Sequence, residues 1–83
     1  DGVQKINFDR SKIEAGIDIV SFLAETAIFP SKGEAKKMVL GGGISINRNK
    51  VDGLQFNIDK TLLLHDKYIL AQKGKKNYYL IIC

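Results

Sequence analysis

The clearest periodicity in the chain begins after Gly16, where Ile17, Val20, Leu23, Ala24, Ala27 and Ile28 recur at helical spacing. The pattern predicts a first long, mainly structural helix, with Asp18 near the positive end of its dipole and Pro30 closing it. A shorter stripe follows, in which Ala35, Met38 and Val39 fall at i, i+3 and i+4 and predict a helix opening at Lys32. Ser31 and Glu34 have capping-box spacing: the serine oxygen accepts from the Glu34 amide while the glutamate reaches back to the Ser31 amide. Gly41, Gly42 and Gly43 end this helix, because glycine takes the left-handed C-cap conformation at little steric cost. Ser11 and Glu14 repeat the spacing and predict a short helical turn that ends at Gly16.

Elsewhere the period shortens to two. Residues 3–8 alternate weakly and predict a short edge strand. Ile44, Ser45 and Ile46 alternate, and Val51 resumes after the polar run 47–50, which predicts a tight hairpin with asparagines taking left-handed turn angles. Residues 61–64, 68–72 and 78–82 are apolar or β-branched runs separated by His65-Asp66-Lys67 and by the lysine-rich stretch 73–77, and they predict strands. Helices first and a small, mostly antiparallel sheet afterwards is an α+β arrangement, since no strand alternates regularly with a crossover helix.

At 83 residues the chain makes a single domain, of a size that buries about 60–65% of its unfolded surface. That leaves no room for a large catalytic cleft. The only methionine is Met38, so Asp1 reads as the start of a piece excised from a longer protein. One cysteine, Cys83, cannot form an internal disulfide, and no signal peptide or apolar run of membrane-spanning length is present, which predicts a reducing, cytoplasmic setting. His65 has no second histidine or cysteine nearby and reads as a solvated turn residue, not a metal ligand. The glycine run follows a helix, whereas nucleotide-binding glycine loops precede one. Ser11 and Ser31 lack a partner base, so neither is a nucleophile. No catalytic residue, metal or cofactor is expected.

Charge changes this picture by its placement. The net charge of +4 is concentrated in two blocks. Segment 31–50 carries Lys32, Lys36, Lys37, Arg48 and Lys50 against Glu34, and segment 67–76 carries Lys67, Lys73, Lys75 and Lys76 with no acid. Brought together, the blocks form a face that neutralises phosphates; kept apart, they are solvated lysines, and charge alone does not choose between these. Tyr78 and Tyr79 point to opposite faces of a strand, so one of them faces outward, either stacking on a base or packing at a rim.

The run S-K-G-E-A-K-K-M followed by G-G-G-I-S-I-N-R-N-K-V resembles the small RNA-binding module named after the fourth protein of the small ribosomal subunit. That module's pattern is roughly S-R-x-E-A-R-R-L-I, a glycine, then V-x-V-N-G-x-x-V. The tail L-L-L-H-D-K-Y-I-L-A-Q-K-G-K-K-N-Y-Y-L-I is similar to the end of bacterial and mitochondrial tyrosyl-tRNA synthetases, where the module forms a C-terminal appendage, and G-I-D-I-V-S-F-L-A-E-T-A is similar to the lead-in helix of that branch. The likeness runs from about Asp9 to Ile82.

It implies a helix-helix-hairpin motif over about 17–51, packed on the sheet, with Ser31, Lys32, Lys36, Lys37, Asn47 and Lys50 on the RNA-facing surface. Gly74, Lys75, Lys76, Asn77 and Tyr78 match the family's G-K-K-N-Y turn and support the same surface, with Arg48 and Lys73 added from the two basic blocks. Two departures stand out: lysine replaces arginine at Lys32, Lys36 and Lys37, favouring point-charge contact with phosphate, and Asn47-Arg48-Asn49 replaces the usual N-G turn. The implied partners are tRNA, specifically the anticodon stem and long variable arm of tyrosine tRNA, and the catalytic domain of the parent chain. The implied parent is a homodimeric tyrosine-tRNA ligase, and this piece by itself is a monomer that binds without catalysing. Two alternatives stand beside this. One is an rRNA-binding module of a ribosomal protein, ribosome-associated factor or pseudouridine synthase, against which the G-K-K-N-Y tail argues; the other is a protein-interaction appendage with an incidental basic face.

Overall fold

Element order in the computed structural model, which describes residues 3–83, is β1 (Val3–Asn7), α1 (Arg10–Ala15), β2 (Ile17–Asp18), α2 (Ile19–Glu25), α3 (Lys32–Leu40), β3 (Ile44–Ile46), β4 (Asn49–Lys50), β5 (Asn57–Ile58), a 3-10 turn (Lys60–Leu62), β6 (Tyr68–Lys73) and β7 (Asn77–Ile82). Asp1, read above as the cut start of an excised piece, lies outside the described residues. Five strands form one sheet in the order β1-β7-β6-β3-β4, and β2 pairs with β5 in a separate ribbon. β6 and β7 fold back on each other with Leu70 opposite Leu80, while β1 returns to the far edge and runs parallel to β7, with Lys5 beside Leu80. The expected edge strand and the α+β class are both present, and the single parallel pair makes the sheet mixed.

Strand alternation directs Ile44, Ile46, Ile69, Ala71 and Ile81 to one face of this sheet, where they pack against Ile13, Ile19, Phe22, Leu23, Ala35 and Val39 from the helices. Phe22 is fully buried and meets Phe8 edge-on, with ring centroids 5.5 Å apart. The helices therefore cover one face of the sheet only.

Local hydrogen bonding moves several element boundaries away from the sequence expectation. Asp9, not Ser11, caps α1: its carboxylate accepts from the Ser11 amide at 3.0 Å and from the Ser11 hydroxyl at 2.7 Å. The helix expected from Ile17 begins two residues later, because Ile17 pairs with Ile58 and Asp18 becomes the N-cap, accepting from the Ser21 amide at 2.9 Å. It also ends at Glu25, ahead of Pro30. The Thr26 hydroxyl turns back to the Phe22 carbonyl at 2.8 Å and Ala27 takes a left-handed φ of 64°, which leaves Ala27 exposed and outside the apolar stripe. The strand expected at 61–64 is instead the 3-10 turn, capped by Asp59, whose carboxylate accepts from the Thr61 amide at 2.9 Å and from the Thr61 hydroxyl. Only Leu64 retains a strand contact, a lone bridge to Tyr68. Among the described residues no helix is long and apolar enough to cross a membrane.

Candidate nucleic-acid interface

Helix α3 sets the first basic block. Ser31 occupies the N-cap and its hydroxyl accepts from the Glu34 amide at 3.3 Å; the return bond from the Glu34 carboxylate is not among those formed by the described residues, so only half of the capping box is made. Ala35 and Val39 are buried, which leaves Lys32, Lys36 and Lys37 exposed. The helix closes in a Schellman arrangement: the Gly43 amide donates to the Met38 carbonyl at 2.9 Å and the Gly42 amide to the Val39 carbonyl at 3.0 Å. Gly42 has φ +76°, and a Cβ there would sit 2.9 Å from the Lys50 ammonium, so the absence of a side chain lets Lys50 lie over the helix end. A cation in that place also meets the negative end of the helix dipole.

The hairpin β3–β4 turns through Asn47 and Arg48, with φ 50° and 71°, the two left-handed residues of a type I′ turn. The departure from N-G thus keeps the tight two-residue turn, with Arg48 in the position glycine usually fills. Asn47 is drawn inward. Its Nδ2 donates to the Leu62 carbonyl at 2.7 Å, its Oδ1 accepts from the Leu70 amide at 3.0 Å, and its own amide donates to the Leu70 carbonyl at 2.7 Å. These bonds clamp the hairpin to β6 and the 3-10 turn, so both ends of a side chain expected on the RNA-facing surface are already occupied by main chain. Arg48 at the tip is exposed.

The second block is bound to the first by the sheet. Ile44 is the register partner of Lys73, and the Gly74 amide donates to the Gly43 carbonyl at 2.8 Å, so the turn 74–76 is held against the glycine end of α3. Gln72 Nε2 donates to the Gly74 carbonyl at 3.1 Å and to the Lys75 carbonyl at 3.4 Å, bracing the same turn from within. The Lys73 ammonium lies over the Phe29 ring, 4.6 Å from its centroid, which ties this block to the loop that leads into α3. Two regions about 30 residues apart in sequence thereby share one end of the molecule. The sequence reading did not single out Phe29 or Gln72 and took Gly43 only as part of the helix stop; a bulky apolar residue just before Pro30 was the one available signal for Phe29. Of the tyrosine pair, Tyr79 packs against the core and Tyr78 occupies the opposite sheet face.

Electrostatically the two blocks are unspent. Among the described residues the ion pairs are Arg10–Glu14 at 3.2 Å, Arg10–Asp66 at 2.5 Å and Lys12–Glu25 at 2.5 Å, all involving α1. Arg10 is held above its ordinary pKa, first by its bond to Asp66 and then by Glu14, and Lys12 is raised by its bond to Glu25. No described carboxylate comes within ion-pair distance of Lys32, Lys36, Lys37, Arg48, Lys50, Lys73, Lys75 or Lys76. A polyanion approaching them has no internal salt bridge to break.

Residues 2–81 match the model of the tyrosine–tRNA ligase SYY-like C-terminal domain family. The chain belongs to this family. Similar proteins are a tyrosine–tRNA ligase of Porphyromonas gingivalis, 51% identical over 82 residues, and one of Parabacteroides distasonis, 48% identical over 83 residues. A third, from Cytophaga hutchinsonii, is 44% identical over 84 residues. These alignments cover 98–99% of this chain and 19% of each relative, so the chain spans about a fifth of the length of the ligases it matches. As a ligase C-terminal domain it is related over both basic blocks and every described strand and helix as far as residue 81.

Proposed function

We propose that this chain is the tRNA-binding module of a tyrosine–tRNA ligase: one domain, residues 1–83, of a longer cytoplasmic protein. In this reading it binds tRNA and fixes its orientation, while amino-acid activation and transfer belong to the catalytic domain of the parent, a homodimer. The observation that carries the proposal is the Gly74–Gly43 hydrogen bond of 2.8 Å, which holds two lysine blocks, free of carboxylate partners among the described residues, at one end of the fold. Folded RNA is read largely through phosphates, 2′-hydroxyls and shape. Lysine ammonium groups suit that task as mobile point charges that follow a phosphate backbone without demanding bidentate geometry. Lys32, Lys36 and Lys37 on α3, Arg48 and Lys50 on the hairpin, and Lys75 and Lys76 on the turn supply phosphate contacts, with Ser31 at the helix start and Asn77 at the end of the turn. Lys73, positioned by Phe29, borders the same surface, and Asn47 serves it by shaping the hairpin. The long variable arm and anticodon stem of tyrosine tRNA are the proposed ligands.

Binding to tRNA should weaken steeply with salt. Four to six phosphate contacts give a log–log slope of about −3 to −5. Changing Lys36→Glu and Lys37→Glu together should abolish most of the affinity while leaving the thermal melt in place, since both side chains are exposed. A double variant that binds tRNA as the parent does would refute the assigned surface.

A further inference from the structure

We propose that the open face of the five-stranded sheet is a stacking platform for an unpaired nucleobase, centred on Tyr78. The pairing registers align Lys50, Ser45, Gln72, Tyr78 and Val3 in one row across the sheet, on the face turned away from the helices. None of these residues belongs to the core or packs against it. Tyr78 is half-buried, and among the described residues its ring has no aromatic neighbour and its hydroxyl no hydrogen-bond partner. A tyrosine held on a strand with no aromatic ring packed against it suits base stacking, because every base has a π-face and the strand has already restricted the side chain.

The ring stands beside Val3, Leu70 and Leu80 on the same face, and the charge around that apolar strip favours RNA. The strand positions of this face carry no carboxylate; Lys5 lies one row away on β1 and Lys50 closes the row at the opposite edge. Three strand spacings separate the Lys50 and Tyr78 backbones, about 14 Å, and the Lys50 side chain turns toward Gly42 at the end of α3, so it marks the rim of this face nearest the first basic block. Lys75 and Lys76 belong to the turn that feeds directly into Tyr78, so a stacked base brings its own backbone onto the proposed phosphate surface. Gln72, across from Tyr78, spends its Nε2 on the turn carbonyls and keeps Oε1 as an acceptor for a base amino or imino group. The ligand is therefore a non-helical stretch of RNA, and this rests on the tRNA-binding reading.

The test uses two probes on the same chain, a ten-nucleotide oligouridylate and full-length tyrosine tRNA. Adding oligouridylate should move the Tyr78 ring-proton resonances upfield. Tyr78→Ala should weaken both probes by about five- to a hundredfold, and Tyr78→Leu should behave alike, while Tyr78→Phe, which keeps the π-face, stays within about twofold of the parent. Loss of tRNA binding in the Lys36→Glu, Lys37→Glu variant with Tyr78→Ala unaffected overturns the platform and keeps the module reading. Affinity unmoved by either change overturns both. Normal RNA affinity in Tyr78→Ala joined to altered sedimentation overturns the platform and gives the face to protein contact. Where Tyr78→Ala does not fold, the ring-proton shift of the parent decides: no shift on adding oligouridylate overturns the platform.

Discussion

Replacing Asn47 by alanine separates a structural role from direct RNA contact at a position where both are chemically reasonable. The substitution removes the Nδ2 bond to the Leu62 carbonyl at 2.7 Å and the Oδ1 bond from the Leu70 amide at 3.0 Å, leaving both main-chain groups to find water in a part-buried site. Each bond is worth about 0.5–1.5 kcal/mol net, and alanine at a φ of 50° gives up the left-handed tolerance of asparagine, about 1 kcal/mol more. The expected loss is about 2–4 kcal/mol. A chain of 83 residues has a total stability of about 4–12 kcal/mol, so the melting temperature should fall by about 10–25 °C. Urea and thermal denaturation followed by circular dichroism measure this directly. RNA affinity is then compared at a temperature where both proteins remain folded, and it should stay within about threefold. Asn47→Asp should also destabilise, since a carboxylate oxygen then faces the Leu62 carbonyl. An alanine variant of parental stability that had lost RNA binding would refute the clamp and return Asn47 to the contact surface.

Other consequences are smaller but sharp. Arg48→Gly should raise the melting temperature by about 3–6 °C, because a left-handed φ of 71° costs an L-residue more than the extra chain entropy of glycine; the same change should make the salt slope of RNA binding shallower by about one unit. Asp9 and Asp18 should make stability acid-sensitive. Bonds from the Ser11 hydroxyl and amide lower the Asp9 pKa, and bonds from the Ser21 amide and hydroxyl lower that of Asp18. A folded-state value depressed in this way gives a stabilisation that is complete above the unfolded value, about 4, and is lost as pH falls through the folded value. Melts from about pH 7 to about pH 2.5 should therefore be flat at first and then decline, and the decline should be shallower in an Asp9→Asn, Asp18→Asn variant, since asparagine caps without titrating.

Much of the local structure is legible in the residues themselves. Helix α3 starts and stops where Ser31 and the glycine run place it, because capping and the left-handed turn at Gly42 involve only groups within a few residues of one another. The hairpin is equally local, its turn residues bracketed by Ile46 and Asn49. The misplaced boundaries share a different cause. Ile17 has the periodicity of a helix but the partner of a strand, Ile58, forty-one positions away, and that pairing frees Asp18 to cap. At 61–64 the apolar composition indicated strand, yet Asp59 binds Thr61 and winds the chain into a 3-10 turn. The basic residues were visible as two blocks, but nothing in the order of the residues tells that Gly74 and Gly43 share a hydrogen bond, that Phe29 holds Lys73, or that Asn47 looks inward.

Sequence alone thus determined most of the elements this chain forms and how its charge is apportioned, because those follow from short-range sterics, capping and composition, while the family resemblance rests on its matched motifs. Only the tertiary structure decided which faces those elements present. Which tyrosine points outward, which polar side chains are consumed by the main chain and which cations stand together are properties of long-range strand register, and register is set by the burial of one whole sheet face against the helices rather than by any residue's own preference.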